Sequence, residues 1–334
     1  MCYPTTWRIE HESTIKTRVC GGNFCALQEG LSKEENHDLR SVLHHLLVTS
    51  HGCHEAFMMF AGNVIGQEIC LDVPYVPTPD TVVAEMLRIA DVNQDDILYD
   101  LGCGGGRIVT IVAKNIGSRG VGIDINPHRI SKSWENAEKA EVSDRVKFLQ
   151  DDLFQADISE ATVVTLYLLQ EINLRLRPKL LRELKAGTRI VSHNFSMGKW
   201  KSDRFTRISG SWDDHYIYYW IVPSNVSGRW KWTMTNDSGK EQYVLRINQH
   251  FQEIDGTITM GTTRIPIIDM KLSGDRLQFT LVRDERGQFA YMKYEGHASG
   301  NNIKGTVESN VDSMIQKINW KAKRDPNTII PLDK

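Results

Sequence analysis

The stretch "YDLGCGGGR", residues 99 to 107, places four glycines in nine positions, with Asp100 ahead of the first of them. Glycines after a strand let the backbone turn sharply and let a ligand approach where a Cβ atom would collide. Dinucleotide-binding loops require Gly-x-Gly-x-x-Gly, but the third glycine position is Arg107 here. The motif present is instead Asp-x-Gly-x-Gly-x-Gly, from Asp100 to Gly106.

Carboxylates end three consecutive predicted strands. Asp100 closes "DILYD", Asp124 closes "GVGID", and Asp151 and Asp152 follow "RVKFLQ". A carboxylate beside a glycine turn repels pyrophosphate and favours a ligand with an ammonium and a sulfonium. Asp124 lies 22 residues after Gly102, where a carboxylate accepts hydrogen bonds from ribose hydroxyls. Each carboxylate alone could be a turn residue or helix cap; the series predicts a site for S-adenosylmethionine.

Strand and helix signals alternate from Val73 to about residue 223, which is typical of a parallel α/β sheet. "TPDTVVAEMLRIADV" predicts a helix with Thr78 as N-cap and Pro79 as its first residue, and Asn126 predicts another N-cap. "HYIYYWIVP" predicts a last strand at an antiparallel edge of the sheet. We therefore predict an α/β domain over residues 72–223.

Helical signals stop after Ser224, and residues 226–325 predict an all-β domain followed by a tail at 326–334. Many consecutive hairpins favour a small up-and-down barrel or sandwich. Gly228 and Trp230 in "GRWKW" resemble the Gly-x-Trp that begins lipocalin-like barrels. We expect Trp230 and Trp320 to pack at a closed barrel end; alternatively, the barrel recruits a substrate or partner. The predicted strands are "GRWKWTMT", "EQYVLRINQHF", "GTITMGTTRIPI", "MKLSGDRLQFTLV", "GQFAYMKYEG", "NNIKGTVES" and "MIQKINWKAK".

Residues 1–71 predict an irregular appendage with one helix at residues 32–50. Its histidines and cysteine match no familiar zinc spacing, so we predict no metal site there. The residues concerned are His44, His45, His51, Cys53 and His54. Five of the six cysteines precede residue 71, which indicates a reducing compartment for the main body because secreted chains distribute paired cysteines through their domains.

Composition excludes two classes of partner. The formal net charge is −2 and charged residues of both signs are mixed along the chain, so there is no basic field for nucleic acid. No stretch approaches the roughly 18 to 20 apolar residues that span a bilayer. We expect a cytoplasmic protein, since S-adenosylmethionine is made there.

The chain resembles class I S-adenosylmethionine-dependent methyltransferases over about residues 73 to 223. It is similar to a bacterial branch related to the mitochondrial protein-lysine methyltransferases that modify the c-ring protein of ATP synthase and the adenine nucleotide translocase. In that branch the glycine motif usually reads Gly-Asp-Gly-Arg, and Gly105 replaces the aspartate here. The resemblance implies a Rossmann-like fold with a mostly parallel seven-stranded sheet. It is carried by "DVPYVPTP", "LYDLGCGGGRIV", "GVGIDINP", "VTLYLL", "LRPKLLRELKAGTRIVSHNF" and "WIVP".

The same resemblance implies the cofactor contacts. Asp151 stands where many relatives have glycine, which favours its neighbour as the contact. The implied residues are Asp100, Gly102, Cys103, Gly104 and Gly106 for the methionine part, Asp124 for the ribose, Asp152 for the adenine, and Tyr75 for closure from the N-terminal side.

Substrates of open α/β sheets bind beyond the carboxyl ends of the strands. After the fourth and fifth predicted strands this selects Tyr167, Glu171, His193 and Asn194 as catalytic candidates. The alternatives are core packing for Tyr167 and a satisfied turn histidine for His193.

The predicted reaction is in-line methyl transfer from S-adenosylmethionine to a nucleophile such as a protein lysine amine. No Asn/Asp-Pro-Pro-Tyr segment follows the fourth strand, which disfavours methylation of nucleic-acid bases. Two alternatives stay open: a small-molecule acceptor, and a non-catalytic cofactor-binding protein whose barrel binds a lipid or protein.

Overall fold

The computed structural model describes residues 76–210, 213–236, 239–285, 288–309 and 316–332, and three short strands near the N-terminus. These strands form an antiparallel sheet in the order β1, β2, β3, within a separate unit, Met1–Val76. No strand was predicted there, and the helix predicted at residues 32–50 lies outside the described residues. The three are β1 (Thr5–Trp7), β2 (Ile15–Cys20) and β3 (Asn23–Leu27).

A seven-stranded sheet forms the first half of the unit Pro77–Lys334. Its strands are β4 (Ile97–Leu101), β5 (Arg119–Asp124), β6 (Val146–Gln150), β7 (Val163–Leu166), β8 (Arg189–His193), β9 (Arg204–Ser209) and β10 (Asp214–Ile221). The spatial order is β6-β5-β4-β7-β8-β10-β9. Neighbours from β6 to β8 pair in parallel, and β10 alone runs against the others. The predicted mostly parallel seven-stranded α/β sheet is therefore confirmed.

One strand position differs from the prediction. β10 is antiparallel as expected, but it lies between β8 and β9, and β9 forms the edge. β9 was missed because most of its side chains, including Phe205, are exposed, so it lacks the apolar run that marks a buried strand.

Four helices connect the parallel strands: α1 (Asp80–Ile89), α2 (Arg107–Asn115), α3 (Pro127–Lys139) and α4 (Gln170–Glu183). Asn126 caps α3 as predicted, because its side chain accepts a hydrogen bond from the His128 amide at 2.9 Å. Thr78 does not cap α1; Pro79 holds the N-cap position without a side-chain bond. Thr78 is buried and turns toward His193 instead.

Apolar faces of α1, α2 and α3 pack on one side of this sheet and form its core. From β10 the core receives Ile217 and Tyr219. Burial of this stripe is what aligns the helices with the strands. The fully buried core residues include Val82, Val83, Met86, Leu98, Val109, Val112, Val163, Val191 and Ile217.

The second sheet has nine strands, all antiparallel. Its edge strands β14 and β15 are separated in sequence by Pro266 alone, and β13 also contacts β15, so the sheet nearly closes on itself. This agrees with the predicted small β-barrel. The strands are β11 (Gly228–Asn236), β12 (Gly239–His250), β13 (Glu253–Met260), β14 (Thr263–Ile265), β15 (Ile267–Ser273), β16 (Arg276–Glu285), β17 (Gln288–Ser299), β18 (Asn302–Ser309) and β19 (Gln316–Arg324).

Aromatic side chains fill the barrel. Trp232 stacks on Tyr243 with ring centroids 5.3 Å apart, and Tyr294 stacks on Phe279 at 4.8 Å. Trp320 meets Tyr294 edge-on at 5.0 Å. Trp320 is buried as expected for a packing role, and so is Trp230, whose ring is covered by the Arg324 guanidinium at 4.9 Å. The boundary between residues 72–223 and 226–325 stays a prediction, since both sheets belong to one compact unit.

In the part of the chain that the structure describes, no helix is long and apolar enough to cross a bilayer.

The end of the sheet opposite the predicted site depends on a buried carboxylate. Asp96 forms an ion pair with Arg189 and accepts hydrogen bonds from the Thr162 hydroxyl (2.7 Å) and the Asn93 amide (2.9 Å). It is 4% exposed.

We predict that Asp96→Ala lowers the free energy of unfolding by about 3 to 5 kcal/mol, because it leaves the Arg189 charge buried without its partner. Urea denaturation measures this. The control is Asp95→Ala, which removes an exposed neighbouring carboxylate and should cost about 0.5 kcal/mol or less. Equal losses in the two variants would contradict this account.

Candidate active site

The predicted site residues meet at one edge of the seven-stranded sheet. In the parallel register Leu101 pairs with both Ile123 and Leu166, so β4, β5 and β7 end side by side. β8 joins them, since Leu166 pairs with Ser192. The segments that follow these strands therefore face a shared space, as expected for an open α/β sheet.

The glycine loop requires residues without side chains. Gly102, Gly104 and Gly106 have φ values of +83°, +53° and +70°, in the left-handed region that favours glycine. A Cβ atom on Gly106 would lie 2.6 Å from the Phe148 ring. The loop thus places bare backbone between β4 and α2, where a ligand can lie against it.

Asp124 holds this loop in place. Its Oδ2 accepts a hydrogen bond from the Gly104 amide and its Oδ1 one from the Asn126 amide, both at 2.9 Å. Arg129 Nη1 lies 3.6 Å from Oδ2. A carboxylate oxygen can accept a second hydrogen bond, so Asp124 can hold the loop and still receive ligand hydroxyls.

Asp100 is buried beside the loop. The Thr165 hydroxyl donates to its Oδ1 at 2.7 Å, and the two residues pair in the register of β4 and β7. Burial, together with the nearby Asp124 carboxylate, raises the pKa of Asp100 to about 7, and the Thr165 hydrogen bond opposes this rise. A cationic ligand placed here would favour the ionised form.

Two backbone carbonyls of the loop are tied to α3. The Ser133 hydroxyl donates to the Gly104 carbonyl and the Asn136 side-chain amide donates to the Gly105 carbonyl, each at 2.9 Å. Cys103 is buried next to them, and burial raises the pKa of its thiol, which stays protonated. Gly105 therefore leaves the turn intact without the aspartate common in similar proteins.

The third predicted carboxylate pair follows β6. Asp151 is exposed, and its Oδ1 accepts a hydrogen bond from the Asp152 amide at 2.8 Å. Asp152 is half-buried and accepts from the Phe154 amide at 2.9 Å. Both carboxylates shape the turn beside Asp124, whose carbonyl accepts from the Asp151 amide. Tyr75 lies outside the described residues.

The acceptor-side candidates surround the end of β8. The Tyr167 ring packs on the His193 ring with centroids 3.9 Å apart. His193 is fully buried; its Nδ1 lies 3.4 Å from the Thr78 hydroxyl and its Nε2 lies 3.0 Å from His215 Nδ1. Burial, and then the His215 charge, lowers the pKa of His193 to about 4, so it is neutral at pH 7.

The other two candidates differ in exposure. Asn194 has φ +62° and its Oδ1 accepts from the Tyr216 amide at 2.8 Å. Glu171 is exposed in the first turn of α4. Tyr167 is half-buried, and burial raises the pKa of its hydroxyl. Of the four candidates, His193 is the one enclosed by protein on all sides.

The sequence interpretation missed Thr165, Thr78 and His215. A threonine within the apolar run "VVTLY" was a usable signal for Thr165, since its strand neighbours Asp100. No local pattern marks Thr78 or His215, because they meet His193 across 115 and 22 residues of sequence.

The donor set selects the charge of the ligand. Two buried carboxylates beside a glycine loop repel phosphate and stabilise a cation. In the described residues, no group of three or more His, Cys, Asp or Glu side chains is arranged to hold a metal ion. The residues present therefore suit a small cationic ligand with hydroxyl groups.

The raised pKa of Asp100 predicts a pH-dependent stability. The folded protein keeps this proton up to about pH 7, whereas the unfolded chain releases it near 3.8. The stabilisation is therefore lost as pH rises through that window. From about pH 5 to about pH 8, the wild type should lose about 2 to 3 kcal/mol relative to Asp100→Asn, which does not titrate. Urea denaturation at both pH values measures this, and parallel pH profiles would contradict it.

A family model described as "ANTKMT methyltransferase domain" matches residues 100–204. A protein-lysine N-methyltransferase of Saccharolobus islandicus is 46% identical over 151 residues, which cover 45% of this chain and 94% of that protein. The human lysine N-methyltransferase of the ATP synthase c-ring protein is 29% identical over 140 residues, covering 42% of this chain and 58% of that protein.

Among solved structures, an RNA methyltransferase from Salinibacter ruber in complex with S-adenosyl-L-homocysteine is 52% identical. The match covers 45% of this chain and 96% of that one, with a TM-score of 0.44.

The family model and the Saccharolobus protein both match the region that contains the glycine loop and the strand-end carboxylates. The cofactor is therefore S-adenosylmethionine, the methyl donor of this family. The chain belongs to the class I S-adenosylmethionine-dependent methyltransferases, in the family of the ANTKMT methyltransferase domain.

Proposed function

We propose that this methyltransferase acts on the side-chain amine of a protein lysine. The observation that carries the proposal is the 46% identity to a protein-lysine N-methyltransferase, extending over 94% of that protein. The acceptor side also suits an amine: Tyr167 is aromatic, His193 is neutral, and Asn194 is uncharged. We expect the reaction to occur in the cytoplasm, where the cofactor is made.

The cofactor would lie along the glycine loop. Asp100 and the backbone of Gly102, Cys103, Gly104 and Gly106 would hold the methionine part. When bound, S-adenosylmethionine supplies a methyl group on a positive sulfur. The two positive charges of its methionine part suit a buried carboxylate whose pKa is about 7, because either charge favours the ionised form.

The nucleoside would occupy the next two strand ends. Asp124 would accept hydrogen bonds from the ribose hydroxyls through the free lone pairs of its oxygens. Asp152 would lie near the adenine and Tyr75 would close over the cofactor; both roles rest on the resemblance to the family.

Tyr167 is the proposed contact for the acceptor amine. The lysine must arrive neutral or lose a proton to water before its nitrogen forms the bond to the methyl carbon and the carbon–sulfur bond breaks. An aromatic ring stabilises an amine that is gaining positive charge. His193 would position this ring from behind, since both of its nitrogens lie against protein partners. Asn194 and the exposed Glu171 would line the approach.

The barrel interior argues against one alternative. Trp232, Tyr243, Phe279, Tyr294 and Trp320 occupy its centre and contact one another. A lipid bound inside would have to displace these rings. A small-molecule acceptor at the strand ends remains a distinct outcome of the experiment below.

The acceptor class is tested with full-length protein, S-adenosylmethionine labelled in its methyl group, and an extract from cells that lack this enzyme. We predict protease-sensitive label that appears as methyl-lysine after hydrolysis. Label that is removed by ribonuclease, or that enters the organic extract, would contradict a protein lysine as acceptor.

Tyr167→Ala should lower methyl transfer by about tenfold or more, because the amine loses the ring against which it is held. The affinity for S-adenosylhomocysteine should stay within about twofold of wild type. Tyr167→Phe is the matched control, and it should retain most of the activity because the ring remains. Equal losses in both variants would show that the hydroxyl group, not the ring, is required.

A further inference from the structure

The segment between β8 and β9, residues 194–203, connects the candidate site to the barrel. We call it the acceptor-side loop. At its first end, the Asn194 amide donates to the Tyr216 carbonyl at 2.6 Å, and the Asn173 side chain donates to the Phe195 carbonyl at 3.1 Å. This end is therefore fixed by β10 and α4, beside Tyr167.

The far end of the loop packs on the turn between β12 and β13 of the barrel. Trp200 and Phe251 are both buried, and their rings stack at a centroid distance of 5.8 Å and an angle of 16°. The Arg177 guanidinium, from α4, lies 5.3 Å from the centre of the Phe251 ring and donates to the Met197 carbonyl at 2.8 Å. One ring of the barrel thus contacts both the loop and the helix beside it.

Polar contacts hold the same turn against the loop. Gln252 Nε2 donates to the Lys201 carbonyl at 2.6 Å, and Lys201 Nζ pairs with Glu253 at 2.7 Å. The ion pair is exposed and contributes little alone. The hydrogen bond matters more for geometry, because it fixes the loop backbone one residue after Trp200.

The backbone at Phe251 supports a specific role for its ring. Phe251 has φ +55°, which is uncommon for a residue with a bulky side chain. Such a conformation costs about 1 to 3 kcal/mol and persists where surrounding contacts determine it. Here it turns the Phe251 ring out of the hairpin and onto Trp200.

We propose that the barrel positions the acceptor-side loop of the methyltransferase site, with Phe251 as the positioning residue. This inference rests on the proposed acceptor site at the ends of β7 and β8. The first end of the loop contacts that site and its last residues are held by the barrel. Loosening the barrel contact should disturb acceptor binding and leave the glycine loop, on the far strands β4 and β5, unchanged.

The test uses full-length Phe251→Leu, which keeps an apolar side chain but removes the ring. We expect the concentration of extract protein that half-saturates methyl transfer to rise about fivefold, with the affinity for S-adenosylhomocysteine within about twofold of wild type. Backbone amides of residues 196–203 should exchange hydrogen about tenfold faster, while those of residues 102–106 keep their wild-type rate.

The matched control is Phe289→Leu, at an exposed phenylalanine of β17, which should change none of these quantities. Gln252→Ala is the second variant, and it should shift half-saturation in the same direction if Phe251→Leu does not fold. Wild-type half-saturation in a folded Phe251→Leu protein, or altered transfer without faster exchange in residues 196–203, would overturn the proposal.

Tyr167→Ala separates this inference from the proposed function on which it rests. If the acceptor site is elsewhere, Tyr167→Ala and Phe251→Leu both leave transfer unchanged. If only the role of the barrel is wrong, Tyr167→Ala reduces transfer and Phe251→Leu does not.

Discussion

Two carboxylates, Asp100 and Asp124, are held almost entirely out of water at the ends of adjacent parallel strands. Burying them is unfavourable unless hydrogen bonds or a cation compensate. Asp124 is compensated by two backbone amides, one of which fixes the glycine loop. Asp100 has the Thr165 hydroxyl and a pKa of about 7, so a positive ligand would complete its environment. The glycine loop, its carboxylates and the choice of cofactor are thus parts of one electrostatic arrangement.

The acceptor side follows a different principle, in which position matters more than charge. His193 is neutral and enclosed by Thr78, His215 and the Tyr167 ring. Its packing fixes the orientation of that ring. The loop that continues from this strand reaches the barrel, where it meets Phe251. A rigid β-structure outside the α/β fold can therefore contribute to a site without touching the substrate.

Sequence reasoning was sufficient where function depends on local pattern. Strand ends, glycine spacing and the cap at Asn126 are short-range features, and each set its neighbours in space through the parallel register. It was insufficient where contacts join distant segments. β9 lacks an apolar run, Thr78 looked like a helix cap, and His215 reaches His193 through antiparallel pairing of β10 with β8. The contact of Phe251 with Trp200 depends on how two sheets pack, which no periodicity encodes.

Calorimetric titration of the full-length protein with S-adenosylmethionine and with S-adenosylhomocysteine tests the central claim most directly. The account predicts saturable binding of both, near one site per chain. It also predicts that S-adenosylmethionine binding near pH 7 releases protons, as its positive charge lowers the pKa of Asp100. Absence of binding by either ligand would contradict a cofactor site at the buried carboxylates.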